Sequence, residues 1–333
     1  KTTKGVIHMK LAILGSGQIV MDFLTMAKDL PDTELVSMFG IEAERAKMEG
    51  LANTYGIGKV YTDYQEVLND PECDTIYVGL PNHLHYTFTK QALENGKHVI
   101  CEKPFTIKSA ELIELKELAE SKKLILVEAI TTRYLSNYLA IKEQIPQLGD
   151  LKIIECNYSQ YSSRYDAFKK GEVLPAFSPK AGGGALMDIN IYNIHFVVGI
   201  LGKPESVKYL ANVERGIDTS GILLLDYPGC KVVCIGAKNS AAPIRSMIQG
   251  DKGSVVLNGP PNLCNSFDVN MNGQASQSMD KKVHPHRMYE EFREFARMID
   301  EMDLAKAKDM LEQSQVVMEI AEEALAGAGI VLG

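Results

Sequence analysis

In the first 130 residues, short apolar runs alternate with stretches whose apolar positions recur at helical spacing. The runs fall at residues 9–14, 34–39, 59–61, 74–79, 97–101 and 124–129. A helical pattern follows the first run to about residue 30, and others occupy 42–55, 63–69, 85–95 and 108–122. Strands alternating with helices of this length predict a parallel, doubly wound sheet with right-handed crossovers. The ligand site of such a sheet lies beyond the carboxyl ends of its strands.

From about residue 131 the pattern changes. Residues 151–161, 205–213, 221–227, 231–236 and 254–257 read as strands with few helices between them, which predicts a large, mostly antiparallel open sheet. A helix over 287–300 carries Met288, Phe292, Phe295 and Ile299 at core spacing. A last amphipathic helix over 304–326 is expected to pack back on the first domain. The fold class is thus α/β: a Rossmann-type doubly wound domain over 9–130, an α+β domain over 131–303, and a C-terminal helix within 304–333.

Composition narrows the function classes. A chain of 333 residues exceeds one core, and 45% hydrophobic with 23% charged residues is ordinary for a globular protein. Lys plus Arg at 35 against Asp plus Glu at 43 gives a net charge of −8, with no long basic run, so no nucleic-acid partner is expected. The chain has no long apolar run of the kind that spans a bilayer, so no membrane partner is expected. The six cysteines are scattered without Cys-x-x-Cys spacing and read as buried thiols of a cytoplasmic protein. Met9-Lys10 reads as a native start, with residues 1–8 a leader or an added segment.

Candidate chemistry sits at the ends of the runs. Gly15-Ser16-Gly17-Gln18-Ile19-Val20 joins the first strand to the first helix. Gly15 permits a tight turn and Gly17 lets backbone amides approach a pyrophosphate, with Gln18 and Ile19 beside it as further cofactor contacts. Val20 stands where a third glycine is usual, so looser helix–strand packing is expected there. The second strand ends in Phe39-Gly40-Ile41-Glu42, with no acid at the tip to select NAD. Glu42 either turns back to the ribose or favours the following helix start, and Arg45 is expected to face solvent. Gly40 and Glu42 count as cofactor contacts, and NAD against NADP stays open.

Pro81-Asn82-His83-Leu84-His85 follows the fourth strand, where Pro81, Asn82 and His85 are expected along a cofactor. Glu102-Lys103-Pro104 ends the fifth. A lysine at the carboxyl end of a buried strand loses hydration unless its charge is used, and Pro104 keeps Lys103 out of the helical region. Glu102 contacts the cofactor or anchors the loop. Arg133, after the sixth strand, is expected on nicotinamide or substrate. Further on, Gly182-Gly183-Gly184 opens a helix in which Asp188, Tyr192 and His195 fall at i, i+4 and i+7, one face of a regular α-helix. Tyr161 and Arg164 either set substrate choice or lie at the surface, and His195 is either a substrate contact or a core histidine. His284-Pro285-His286 lacks a third ligand, and no metal is expected.

Gly15-x-Gly17, Pro81-Asn82-His83-Leu84-His85, Glu102-Lys103-Pro104 and Gly182-Gly183-Gly184-Ala185-Leu186-Met187-Asp188 with Tyr192 together resemble the glucose–fructose oxidoreductase, inositol dehydrogenase and rhizopine-catabolism (Gfo/Idh/MocA) family. The resemblance runs from Met9 to near the C-terminus, in the family's order and spacing. Tyrosine four residues after the aspartate resembles the dimeric dihydrodiol dehydrogenase and glucose–fructose oxidoreductase branch. The resemblance implies hydride transfer between NAD or NADP and a hydroxyl-bearing carbon of a sugar, cyclitol or diol. It implies a small polyol, sugar or carbonyl substrate; association through the exposed face of the second sheet, as a homodimer or homotetramer, is also expected. Lys103 would hydrogen-bond the reacting oxygen, Tyr192 would donate and accept the proton, and Asp188 would orient hydroxyls and offset the lysine charge. Two other functions share these motifs: glycoside hydrolysis through transient oxidation by bound NAD, and cofactor sensing without turnover.

Overall fold

In β1 (Met9–Leu14) every residue but Lys10 is buried, as a strand covered on both faces requires. It belongs to a six-stranded sheet with β2 (Thr33–Phe39), β3 (Lys59–Tyr61), β4 (Thr75–Val78), β5 (His98–Glu102) and β6 (Leu126–Ala129). The order is β3-β2-β1-β4-β5-β6, and every pairing is parallel. Helices α1 (Gln18–Ala27), α2 (Arg45–Tyr55), α3 (Tyr64–Asn69), α4 (His85–Glu94) and α5 (Ser109–Lys122) make the connections. Strand order reverses between β1 and β4, the switch point at which doubly wound sheets bind ligands. This computed structural model describes residues 9–333, so the expected leader at 1–8 lies outside the described residues.

The second sheet has eight strands: β7 (Leu151–Ser159), β8 (Ser206–Glu214), β9 (Ile217–Tyr227), β10 (Cys230–Ala237), β11 (Arg245–Gly250), β12 (Gly253–Asn258), β13 (Ser266–Met271) and β14 (Gln277–Met279). Their order is β14-β13-β12-β11-β7-β10-β9-β8, antiparallel throughout except for the β7–β10 pair. Three of these strands, β11, β13 and β14, were not expected: β11 and β14 hold few apolar residues, whereas β13 (Ser-Phe-Asp-Val-Asn-Met) does alternate polar and apolar positions as a half-buried strand does. Among helices α6 (Ser136–Gln144), α7 (Ser163–Lys169) and α8 (Ile191–Leu201), α8 lies against β7 and β10. Ile154, Cys156, Val232 and Cys234 are buried, while Ile153 (45%), Leu210 (52%), Ile222 (40%) and Leu224 (40%) remain exposed.

The chain divides into two compact units. The first takes the residues up to Thr106, then Ala110–Ala129 and Met288–Glu312; the second takes Ile107–Ser109, Ile130–Arg287 and Gln313–Gly333. These limits differ from those expected. Helix α9 (Tyr289–Asp300), expected in the second domain, belongs to the first unit, and α10 (Leu304–Gly327) is divided between the two. The reason lies in the aromatic packing: the Phe292 ring is 4.5 Å from Phe23 and 5.1 Å from Tyr77. Burying each such phenylalanine is worth roughly 1.5–3 kcal/mol. An amphipathic stripe predicts that α9 packs, but not on which sheet. No helix among the described residues is long and apolar enough to cross a membrane.

Candidate active site

The β1–α1 turn is closed by glycine on both sides. Gly15 takes φ +102°, and its amide donates to the Phe39 carbonyl at 2.8 Å. A Cβ on Gly15 would lie 2.4 Å from the Gly79 carbonyl oxygen, and one on Gly79 would lie 2.6 Å from Val20 Cγ2. The loose packing expected at Val20 is therefore absent. The glycine missing from α1 is supplied by Gly79, after β4. Gly17 differs, since no heavy atom comes within 4 Å of its Cβ position. Helix α1 starts beside it without a side-chain cap and without an acid in its first turn, leaving first-turn amides, with Gln18 and Ile19 among these residues, short of intrahelical partners. Ser16 is buried, and its Oγ has no hydrogen-bond partner. An open glycine, uncapped amides and an orphaned hydroxyl fit a dinucleotide pyrophosphate.

At the β2 tip, a Cβ on Gly40 would meet Met48 Sδ at 2.8 Å, so close packing of α2 accounts for that glycine. Exposed Glu42 accepts from Arg45 Nε at 2.8 Å and Nη2 at 3.0 Å, which holds its carboxyl below the usual range. Arg45 also donates to Thr62 Oγ1 at 2.9 Å, so it bridges the tips of β2 and β3 instead of only facing solvent. Lys47 Nζ donates to the Ser16 carbonyl, bringing a cation to the glycine turn. Sequence reasoning passed over Lys47, which no motif surrounds.

Pro81 precedes a single turn, Asn82–Leu84. His85, expected on the cofactor, is fully buried, with Nδ1 2.8 Å from the Pro104 carbonyl and Nε2 2.8 Å from the Leu80 carbonyl. Burial pushes its pKa down, against the pull of those carbonyls. A neutral imidazole donates to only one of these two carbonyls; the buried ring packs between the loop after β4 and the loop after β5, and that bracing role stands where a cofactor contact was expected. Buried Glu102 accepts from the Tyr77 hydroxyl at 2.7 Å and from the Lys103 amide at 3.2 Å. Of its two expected roles, these bonds describe the anchor. Lys103 follows directly, half-buried, with a cis peptide bond to Pro104.

In the second unit two of the three glycines close the chain on its neighbours. A Cβ on Gly183 would lie 2.5 Å from the Pro175 carbonyl, and one on Gly184 (φ +103°) 2.1 Å from Asp218 Oδ1. Asp218 Oδ2 accepts from the Leu186 amide at 2.8 Å and the Tyr209 hydroxyl at 2.6 Å; burial pushes this carboxyl up to about 6. The segment Leu186–Asn190 is then a π-helical turn, not α-helix, so the regular spacing expected for Asp188, Tyr192 and His195 does not hold. Asn190 and Asn193 pin this turn to the Cys234 and Ile235 carbonyls of β10 at 3.2 and 3.0 Å. Asp188, 32% exposed, pairs with Lys238 Nζ at 2.6 Å, a partner that the sequence did not suggest. Tyr192 is buried with its ring 6.2 Å from Tyr158, and His195 lies in the core.

The remaining expected residues are placed as follows. Tyr161 is exposed; its hydroxyl donates to Asp166 at 2.6 Å and accepts from Lys169 at 2.9 Å. Arg164 is exposed on α7. Arg133 is buried in a single turn that the Thr131 and Thr132 hydroxyls hold to the Asn262 and Pro261 carbonyls at 2.8 and 2.9 Å.

Two family models match the chain: an oxidoreductase family with an NAD-binding Rossmann fold over residues 9–129, and a GFO/IDH/MocA C-terminal domain over 138–256. The chain is 32% identical to scyllo-inositol 2-dehydrogenase (NADP(+)) of Bacillus subtilis over 326 residues, 97% of this chain and 98% of that one. It is 31% identical to trans-1,2-dihydrobenzene-1,2-diol dehydrogenase of Xenopus tropicalis over 273 residues, 80% of this chain and 79% of that one. Its fold is similar to that of a 3-ketoreductase from Actinomadura kijaniata solved with NADP and TDP-benzene, with a TM-score of 0.80 at 20% identity over 95% of this chain and 98% of that chain.

Proposed function

We propose, from the premise that this chain belongs to the Gfo/Idh/MocA oxidoreductase family, that it is an NAD(P)-dependent enzyme moving a hydride between nicotinamide and a hydroxyl-bearing carbon of a cyclitol, sugar or diol. The observation that carries this reading is the setting of Lys103. Its amide is fixed by a buried carboxylate, and it stands at the carboxyl end of β5, where a doubly wound sheet presents its ligands. The bound dinucleotide accepts or supplies the hydride. Gly15, Gly17 and the first-turn amides of α1 hold the pyrophosphate, with Pro81 and Asn82 along the same strand ends. Lys103 hydrogen-bonds the reacting oxygen and stabilises the alkoxide. Tyr192 passes the proton, and Asp188 holds neighbouring hydroxyls. Arg133 contacts nicotinamide or substrate.

NADP is the proposed cofactor. At the β2 tip Glu42 is held by Arg45, and Lys47 brings an ammonium to the glycine turn, a charge that suits a 2′-phosphate. The similarity to scyllo-inositol 2-dehydrogenase (NADP(+)) over nearly the whole chain supports the same cofactor and makes scyllo-inositol the first substrate to try. The half-exposed apolar face of the second sheet supports a homodimer or homotetramer, and six buried cysteines support a cytoplasmic location.

The test is turnover of scyllo-inositol, D-xylose and trans-dihydrobenzenediol with NADP and NAD, by wild type and Lys103→Ala. The variant should lose turnover by roughly a hundredfold or more while still binding NADPH by fluorescence. Normal turnover in Lys103→Ala overturns the reading. Cleavage of a glycoside without net reduction of the cofactor would replace it by transient-oxidation hydrolysis.

A further inference from the structure

We infer that Lys238 is a positioning residue for the proposed reaction: a buried ammonium that holds the Asp188 carboxylate where substrate hydroxyls are to be bound. The inference rests on the reading of Asp188 given above.

Lys238 directly follows β10, and its main chain is fixed on both sides. Its amide donates to the Thr219 carbonyl at 2.9 Å, and its carbonyl accepts from the Ser162 amide at 2.9 Å. The side chain is only 3% exposed. Nζ lies 2.6 Å from Asp188 Oδ2, 3.0 Å from the Ala176 carbonyl and 4.3 Å from the centre of the Phe177 ring. A carboxylate, a carbonyl and an aromatic face thus compensate a cation taken out of water.

The same contacts tie the ammonium to the backbone that carries Asp188. The Ala176 carbonyl also accepts the Gly184 amide at 3.0 Å, and the Asp188 amide donates to the Gly184 carbonyl at 3.0 Å. Main chain and carboxylate of Asp188 are therefore set from one frame. A pair that merely glued the unit together would have no need of unequal exposure. Here the lysine is 3% exposed and the aspartate 32%. The ammonium sits behind and the carboxylate in front, where a hydroxyl can reach it.

The test compares Lys238→Met, Lys238→Arg, Asp188→Asn and the double variant D188N/K238M, with scyllo-inositol and NADP. Lys238→Met should raise the cyclitol KM roughly tenfold or more. Its KM for NADP and its NADPH binding by fluorescence should stay within about twofold, because none of the Lys238 contacts described above involves a residue proposed to hold the dinucleotide. Lys238→Arg should recover most of the loss. The double variant should be no worse than Asp188→Asn. An unchanged cyclitol KM in Lys238→Met overturns the inference, as does a double variant that multiplies the two single losses. Should Lys238→Met fail to fold, the comparison of D188N/K238M with Asp188→Asn decides alone, since it removes both charges together. If Asp188→Asn itself turns over normally, the reading of the site fails. If that variant is impaired and Lys238→Met is not, only the positioning role fails.

Discussion

Replacing Asp218 by Asn should remove a pH dependence from the stability of the second unit. Asp218 is completely buried; its Oδ2 receives two hydrogen bonds, and Oδ1 has no partner. Burial is the largest influence and lifts the pKa from 3.8 to about 6, outweighing the opposing pull of Tyr209, the Leu186 amide and Lys238. A raised carboxyl pKa means that the folded protein keeps a proton which the unfolded chain has already released. The resulting stabilisation is present in full below the unfolded value of 3.8 and is lost as pH rises through about 6. A shift of about two units is worth about 3 kcal/mol. Asparagine copies the shape of the protonated acid and stays neutral at every pH. Urea unfolding of wild type and Asp218→Asn, at steps from about pH 4 to about pH 7, isolates this group in the difference between them. That difference should move by about 2.5 kcal/mol in favour of the variant across this range, most of it below about pH 6. A flat difference across the range would refute the burial argument.

Other perturbations follow from the same geometry. Gly79→Ala should cost about 1–3 kcal/mol, because its methyl would lie 2.6 Å from Val20 Cγ2; urea unfolding should show part of the loss recovered by adding Val20→Ala, and no recovery would sink the packing account. Lys47→Ala should raise KM for NADP about tenfold while leaving KM for NAD unchanged; equal effects on both cofactors would remove the 2′-phosphate role. Tyr77→Phe takes from buried Glu102 a hydrogen bond of 2.7 Å and should destabilise the first unit by about 1.5–3 kcal/mol in thermal or chemical unfolding, with an unchanged midpoint counting against the anchor.

The six parallel strands were legible because β1, β4, β5 and β6 are almost wholly buried and all six are bounded by helical periodicity, and Gly15 and Gly17 were legible because strand, turn and helix follow one another directly in the chain. Val20 shows the limit of such reading. The motif lies along one segment, but the space it controls is shared with Gly79, which arrives after another strand. The π-helical turn at Asp188 has no compositional mark, since it depends on how Asn190 and Asn193 dock on β10. Lys238 did carry a signal. Like Lys103 it stands just past a buried apolar strand, Cys230–Ala237, and the same hydration argument applies to both. Without a neighbouring proline or glycine motif that signal went unread. Helix α9 was visible as an element, but its partner was not, because the contact between Phe292 and Phe23 spans nearly the whole chain.

That last contact decides the order in which the protein can be finished during synthesis. The ribosome delivers β1 to β6 first, yet the sides of Phe23 and Tyr77 that face Phe292 stay open until α9 emerges. In between, β7 is made before both of its sheet neighbours, β10 and β11, while the β8–β9–β10 and β11–β12–β13 meanders can pair as they appear. Distant pairings of this kind slow folding, and surfaces left open while a chain is incomplete invite aggregation. A nascent chain halted after Ala129 thus holds all six strands of the first sheet with an uncovered aromatic patch, and the unit begun first closes only after most of the second has been made.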